Sequence, residues 1–360
     1  MGKLEDAREQ INIIDKEMAT LFSKRMEAVK AVAESKQEMG LPVFNPGREQ
    51  EVIKRGVKNL NNPDIESYYI NYLKYVMQLS KSYQHRLLKG LRVAYSGVPG
   101  AFANIAAKRI FADGIDIPYP DFAAAYAAVV NGECDCAVLP IENSFAGDVS
   151  QVMDLAFSGD LFINGVYDLE ITQNLLGVKG ASLRDVREVI SHRQALDQCA
   201  VFIKEHSLVE SEASNTAAAA QAVAERADKS VAAIASEETA GLYGLQVIEK
   251  AINQSHSNTT RFAVFSRTQS AGKDGKFIMF FTVGNTPGAL SRAISVIGEN
   301  GFNMRALKSR PTKEQNFEYY FYVECDGGIR SDSGKKMLRS LKEACSSLRV
   351  VGIYENESAI

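Results

Sequence analysis

From Lys3 to Met39 the chain contains neither glycine nor proline, and its apolar residues recur at three- and four-residue steps: Leu4, Ile11, Ile14, Met18, Leu21, Met26, Val29 and Val32. Such a run predicts one long helix, broken at Gly40-Leu41-Pro42. Asn45-Pro46 reads as an N-cap followed by proline at the first position of a second helix, which should end near Asn61-Asn62-Pro63. A third helix is expected from about Ile65 to Leu88, stopping at Gly90. Three such helices make a poor core alone, and a helix this long without internal caps usually packs along another chain.

One stripe of the first helix reads Arg8, Ile11, Asp15, Met18, Phe22, Arg25, Val29, Val32, Lys36. A single cation there would reach out to solvent. Three on one apolar seam point instead to something anionic that meets them, because burying them unpaired is costly. Arg8 and Arg25 are separated by roughly 25 Å of helix, so one small ligand cannot touch both within one chain. Arg25 and Lys36, roughly 16 Å apart, can lean toward a ligand between them. If Arg8 shares that site it comes from a second chain, as an antiparallel pairing of two long helices would allow.

Composition narrows the possibilities. Apolar residues make up 46% of the chain and charged residues 24%, with Lys+Arg 41 against Asp+Glu 44, so neither disorder nor a dedicated nucleic-acid binder is expected. No apolar run is long enough to span a bilayer, and Met1-Gly2-Lys3-Leu4-Glu5-Asp6 has no hydrophobic signal region. Five cysteines suggest reduced thiols, and four histidines without Cys or His clusters argue against zinc. The expectation is a cytoplasmic globular protein without metal or cofactor.

At Leu91 the texture changes to short apolar runs alternating with Ala-rich helices: Leu91 to Tyr95, Cys134 to Ile141, Leu175 to Val178, Val186 to Ser191, Ser230 to Ala235 and Arg261 to Phe265. This predicts an α/β segment with mostly parallel strands. Tyr95-Ser96-Gly97-Val98-Pro99-Gly100-Ala101-Phe102 lacks the Gly-x-Gly of a dinucleotide site and reads as a turn opening a helix. Four polar clusters fall at strand or helix starts and ends: Glu142-Asn143-Ser144, Ser191-His192-Arg193-Gln194, Ser214-Asn215-Thr216 and Asn258-Thr259-Thr260-Arg261-Phe262. Each alone reads as a cap, but four together predict one polar cleft between two lobes. His192 and His256 read as caps or surface residues, and Cys134 and Cys136 as core packing. After a polar linker from Thr268 to Lys276, the pattern strand (Phe277 to Val283), helix (Gly288 to Glu299), strand pair (Phe302 to Arg310, Phe317 to Glu324), helix (Gly334 to Leu341) and strand (Val350 to Tyr354) has the ferredoxin-like βαββαβ order.

Three resemblances fit these segments. Residues 3 to 88 resemble the all-helical chorismate mutase domain, on Arg8, Arg25, Lys36, Arg48-Glu49 and Ser80-Ser82-Gln84. This implies that Arg8 of a second protomer and Arg25 hold the two carboxylates of chorismate, Lys36 and Gln84 the ether oxygen, Glu49 the ring hydroxyl, with Ser80 and Arg48 assisting. The family usually has Asp at Asn45. Residues 91 to 267 resemble prephenate dehydratase, a two-lobed, periplasmic-binding-like α/β domain, on Glu142-Asn143-Ser144 and Thr260-Arg261-Phe262. The resemblance implies that Thr260 serves the leaving hydroxyl and that Asn143, Ser144, Ser191, Gln194, Thr216, Arg261 and Phe262 hold prephenate. Residues 277 to 355 resemble an ACT regulatory domain, on Asn285-Thr286-Pro287-Gly288-Ala289-Leu290, Asn303 and Lys308-Ser309-Arg310-Pro311. This implies a phenylalanine site at Gly288, Ala289, Leu290, Asn303, Ser309, Arg310 and Pro311. Lys308 departs from the family's usual Glu.

The sequence is thus similar to bifunctional chorismate mutase–prephenate dehydratases, with domains over 1–89, 91–267 and 276–356. The implied protein is a homodimer or higher homo-oligomer acting on chorismate and prephenate without cofactor, nucleic acid or membrane. A mutase–dehydrogenase lacks its nucleotide fingerprint here. An arogenate dehydratase and a non-catalytic amino-acid sensor remain as alternatives.

Overall fold

The computed structural model describes residues 2–39, 41, 43, 45–254, 258–272, 274–312 and 318–360. Gly40 and Pro42 of the expected helix break, His256, Lys273 of the linker, and Phe317, where a strand was expected to begin, lie outside the described residues. The chain forms two compact units, residues 1–92 with 132–135, and residues 93–131 with 136–360.

The first unit is helical. Helix α1 (Lys3–Glu38) is continuous over 36 residues. Helix α2 (Pro46–Lys58) is capped as expected, with the Asn45 side chain accepting from the Arg48 backbone N–H at 3.0 Å. Asn can fill the usual Asp position here because either side-chain oxygen accepts that bond. Helix α3 (Glu66–Lys89) ends at Gly90 with φ of 75°. Only Val29 and Ala33 of α1 are buried, whereas Leu4, Ile11, Ile14, Met18, Leu21 and Phe22 are exposed.

The second unit is α/β. Its first lobe is built on a sheet containing Arg92–Ser96, Cys136–Asn143, Phe162–Glu170 and Thr259–Ser266; its second lobe has a five-stranded sheet spanning Asn174–Glu249. The expectation of mostly parallel strands is corrected by the structure. Arg92–Ser96 runs parallel to Cys136–Asn143, and Glu188–Ser191 parallel to both neighbours. Thr259–Ser266 is antiparallel to both Cys136–Asn143 and Phe162–Glu170, and Asn174–Gly177 is antiparallel to its partners. The cause is the double crossing between lobes, since each crossing strand enters its new sheet from the opposite end. The crossings are hydrogen-bonded together, Ile171 N–H to Asn258 O at 2.8 Å and Ile252 N–H to Gln173 O at 2.9 Å. Val231–Ala235, apolar throughout, is buried at every position, as a strand covered on both faces requires.

The C-terminal segment has the expected βαββαβ order, with strands Lys276–Thr282, Asn303–Pro311, Tyr319–Asp326 and Ser347–Tyr354 and helices Ala289–Glu299 and Asp332–Ala344. Its sheet continues the first lobe's sheet, because Ser347–Tyr354 pairs in parallel with Phe162–Glu170 at Gly352 and Ile163. A side chain at Gly352 would crowd Ile163, where a Cβ would stand 3.2 Å from the Ile163 Cβ. The two faces of Lys276–Thr282 do different work, as the two-residue period of a strand dictates. Phe277, Met279 and Phe281 pack against Ala293, Ile297, Met337 and Leu341 of the two helices. Phe280 faces the other way, edge-on to Tyr320 and to Phe157 of the first lobe; Phe157 stacks on Tyr320 at 4.0 Å between ring centroids.

Phe281→Ala should destabilise this segment by about 3–5 kcal/mol, because it empties a fully buried aromatic site between two helices. Denaturant unfolding should show a lower midpoint at constant slope. An unchanged midpoint would mean that the cluster collapses around the smaller side chain.

Candidate active sites

In the helical unit the structure brings together Arg25, Ser80 and Gln84. The Arg25 guanidinium, from α1, donates to the Ser80 hydroxyl on α3. Ser80 Oγ in turn donates to Val76 O at 2.7 Å, and Gln84 Nε2 to Ser80 O at 3.3 Å. Gln84 Oε1 is buried with no hydrogen-bond partner. Burial lowers the pKa of Arg25, with the Tyr72 phenol acting in the opposite sense. Among the described residues no carboxylate pairs with Arg25. A half-buried cation without a carboxylate partner and, on α3, an unsatisfied amide oxygen leave both donors and an acceptor unfilled in this group.

The other expected residues lie around it less directly. Lys36 Nζ donates to Val43 O at 2.6 Å, Glu49 pairs with Lys81 at 2.7 Å, and Arg48 pairs with Glu51 at 2.7 Å in an exposed contact. Arg8 is exposed near the far end of α1, roughly 25 Å of unbroken helix from Arg25. Within one chain it does not join Arg25.

In the α/β unit three of the four polar clusters converge on Asn143, at the end of strand Cys136–Asn143. Its Nδ2 donates to Thr260 Oγ1 at 2.9 Å and to Asn258 Oδ1 at 3.0 Å. Its Oδ1 accepts from Phe145 N–H at 3.0 Å, Ala146 N–H at 2.9 Å and Gln194 Nε2 at 3.0 Å. Ser144 is tied to Thr259, whose N–H donates to its hydroxyl at 2.9 Å. Ser191, fully buried, donates to Ile234 O at 2.6 Å. His192 is a cap, its Nδ1 accepting from Gln194 N–H at 3.3 Å. Thr216 opens the helix Thr216–Arg226 behind its Asn215 cap and makes no hydrogen bond to the Asn143 group.

Two residues unanticipated as site members extend this network. Gln198 Oε1 accepts from Asn258 Nδ2 at 3.0 Å and from Gln173 Nε2 at 3.3 Å, and Gln173 Oε1 is buried without a partner. All three are almost completely enclosed. The signal available in the sequence was weak, a glutamine four positions beyond Gln194 on the same short helical stretch.

Arg261 and Phe262 do not join Asn143 in the cleft. Phe262 is packed in the core at 2% exposure. Arg261 follows Thr260 on the strand and therefore projects from the opposite face. There its guanidinium donates to Glu324 at 2.9 and 3.0 Å and to Glu357 at 3.0 Å, and it also meets Glu142 at 3.3 Å. The expected role of orienting a substrate carboxylate gives way to this internal use, because four carboxylates including Asp168 already surround the cation.

Of the residues expected to bind an effector, Gly288 adopts φ of 79° ahead of helix Ala289–Glu299, Ala289 is buried, and Leu290 packs on the core. Asn303 donates to Asp326 at 3.0 Å, and Ser309 and Pro311 lie on an exposed edge strand opposite Phe321 and Tyr319. Arg310 is committed to the first lobe, donating to Asp154 at 2.9 and 3.2 Å and to Ser150 at 2.6 Å. Lys308 bridges to Glu142 at 2.9 Å and Asp148 at 2.5 Å.

Residues 7–85 match the family Chorismate mutase type II, and residues 93–270 match the family Prephenate dehydratase. A bifunctional chorismate mutase/prephenate dehydratase of Aquifex aeolicus is 30% identical over 98% of each chain. The chain belongs to the bifunctional chorismate mutase/prephenate dehydratase family. It is an enzyme with both activities. An Arabidopsis thaliana protein named arogenate dehydratase/prephenate dehydratase 2 is 33% identical, over 73% of this chain and 72% of that one. The solved prephenate dehydratase of Arthrobacter aurescens, in complex with L-Phe, is 28% identical and superposes with a TM-score of 0.69, covering 74% of this chain and 90% of that one. In this bifunctional chain, then, the Arg25 group falls in the mutase match and the Asn143 group in the dehydratase match.

Burial by itself would raise the pKa of Glu324, but the hydrogen bonds and charge of Arg261 outweigh it and bring the carboxyl from 4.5 to about 2. A carboxyl depressed on folding contributes stability above its unfolded value, and that contribution is lost as pH falls through the folded value. Between pH 4.5 and about 2 the melting temperature of the native chain should therefore fall more steeply than that of Glu324→Gln. Parallel acid profiles would show that this carboxylate is not a source of acid sensitivity.

Proposed function

We propose that the chain converts chorismate to prephenate in its helical domain (residues 1–89) and prephenate to phenylpyruvate in its α/β domain (91–267), under control by phenylalanine at an ACT domain (276–356). In the mutase site Arg25 takes one carboxylate of chorismate, with Ser80 beside it, and Arg8 of a second copy takes the other. Arg48 assists from the start of α2. Lys36 and Gln84 stabilise charge developing on the ether oxygen, and Glu49 meets the ring hydroxyl. The rearrangement breaks one C–O bond and forms one C–C bond within the substrate, with no proton transfer, so holding the reactive conformer and stabilising that charge suffices. The state of Arg25 supports this: it is half-buried and pairs with no carboxylate among the described residues, which leaves its guanidinium open to one from the substrate. The exposed apolar residues on α1 support a homodimer, since a second copy would cover them.

The dehydratase step breaks the bond to the ring carboxylate, releasing carbon dioxide. Its electron pair completes the aromatic ring as the ring hydroxyl leaves and takes up a proton to become water. The observation that carries the reading is the state of Thr260. Its oxygen accepts from Asn143 Nδ2, so its own O–H remains to be donated to the departing oxygen. Ser144 and Thr216 offer hydroxyls and Gln194 its second amide N–H along the same cleft, while the Ser191 hydroxyl is spent on Ile234 O. Gly288, Ala289, Leu290, Asn303, Ser309, Arg310 and Pro311 are the positions at which we place phenylalanine. Arogenate, with an amino group in place of the side-chain ketone, is a second substrate reading favoured by the relative named for that activity. No helix among the described residues is long and apolar enough to cross a membrane, which suits a cytoplasmic enzyme.

Incubation of purified protein with chorismate at neutral pH, without nicotinamide, should yield phenylpyruvate; accumulation of prephenate would redirect the second site to arogenate. Arg25→Ala should abolish the mutase and spare the dehydratase, and Thr260→Ala the reverse. Loss of both activities from either folded variant would defeat the two-site reading. Mixing Arg8→Ala with Arg25→Ala chains should restore part of the mutase activity, because one site per mixed dimer is then intact. No recovery in demonstrated mixed dimers would mean that the site is not shared.

A further inference from the structure

The strand Thr259–Ser266 shifts register against both of its neighbours, at positions beyond Thr260. Its pairing with Cys136–Asn143 shifts between Arg261 and Phe262, and its pairing with Phe162–Glu170 shifts between Ala263 and Phe265. Thr260 itself is paired on both sides, with Asn143 and with Leu169, and the extra residue of the nearer shift is Ile141 on the neighbouring strand. Arg261 provides another constraint. It is adjacent in the chain to Thr260, and its planar fork donates at 2.9 and 3.0 Å to the two oxygens of Glu324. Glu324 is fully buried on strand Tyr319–Asp326 of the C-terminal segment. Its orientation is set by two further donors, the Tyr322 hydroxyl at 3.1 Å and the Tyr354 hydroxyl at 2.9 Å. Glu142, the residue before Asn143, also contacts Arg261, and Lys308 contacts Glu142.

We propose that Glu324 is a positioning residue for dehydration: by clamping Arg261 it holds Thr260 and Asn143 in the geometry that presents the Thr260 hydroxyl to the leaving group. This rests on the reading of Thr260 as the dehydratase residue. It assigns the C-terminal segment a part in the chemistry of the cleft separate from any effector site, and it explains why Arg261 is spent on protein carboxylates. The side chains that face Arg261 are Glu142 and Asp168 from the neighbouring strands and Glu324 and Glu357 from the C-terminal segment. Of these four carboxylates, Glu324 is the one that engages it through both oxygens.

The test uses the full-length chain and measures both activities. Glu324→Gln keeps the size of the side chain and removes the charge. The dehydratase kcat should fall on the order of 100-fold, the effect of displacing a reacting group by about 1 Å, with KM for prephenate little changed. Mutase turnover should stay at the native level. Arg261→Lys keeps the charge but loses the two-pronged fork, and should lower kcat in the same way. Glu324→Asp, which restores the charge, should recover part of the loss. Wild-type kcat in folded Glu324→Gln overturns the proposal, as does a rise in KM at constant kcat, which would put Arg261 on the substrate. If Glu324→Gln fails to fold, Arg261→Lys decides by the same criteria. Thr260→Val separates the two ideas: if it remains fully active the Thr260 reading fails and takes this one with it, whereas an inactive Thr260→Val beside a fully active Glu324→Gln removes only the positioning role.

Discussion

Glu324 has no access to water, and a carboxylate in that position persists only where a cation and hydrogen-bond donors surround it. Arg261 supplies the cation, and Tyr322 and Tyr354 the remaining donors. Leaving either charge without the other would cost about 3–5 kcal/mol, so the two segments that carry them are held to one arrangement. The shared sheet at Gly352 and Ile163, the stack of Phe157 on Tyr320 and the clamp of Arg310 on Asp154 act along the same contact. The C-terminal segment is therefore built into the first lobe of the α/β unit.

The two candidate sites solve different problems with different materials. The rearrangement of chorismate needs fixed charge around a dianion, which the proposed site in the helical unit draws from Arg25 with neutral neighbours. Its long helix leaves an apolar face uncovered and places Arg8 out of reach of Arg25. The dehydration needs an oriented hydroxyl in a dry cleft. In the proposed site a network of amides orients the Thr260 hydroxyl; each Asn143 group is used and Gln173 retains one unfilled acceptor. The α/β unit assembles that network from its own chain.

Much of this was legible before the fold. The helix end at Gly90, the Asn45 cap and the βαββαβ order follow from short-range rules of periodicity and capping; a shared polar cleft was expected from the clusters at strand ends, and Asn143, Gln194 and Thr260 as its members from the resemblance to prephenate dehydratase. The direction of the crossing strands was not legible, because it depends on the chain passing twice between lobes. Gln198 carried only its spacing from Gln194 and Gln173 no pattern at all, and both became visible through Asn258. Arg261 was expected to hold prephenate from the resemblance to prephenate dehydratase; which carboxylate it meets depends on which face of the strand meets another part of the chain.

The sequence by itself determined the character of each segment: a long helix whose apolar stripe carries three cations, an α/β segment with amides and hydroxyls at its strand ends, and a strand–helix alternation at the C-terminal end. Those features depend on neighbours a few residues apart, where periodicity and capping act. Only the tertiary structure decided how charge is spent. Glu324 and Arg261 are 63 positions apart and Lys308 and Asp148 160 positions apart. Ion pairs across such separations form only after sheets have registered and faces have closed, since it is burial that makes one partner indispensable to the other.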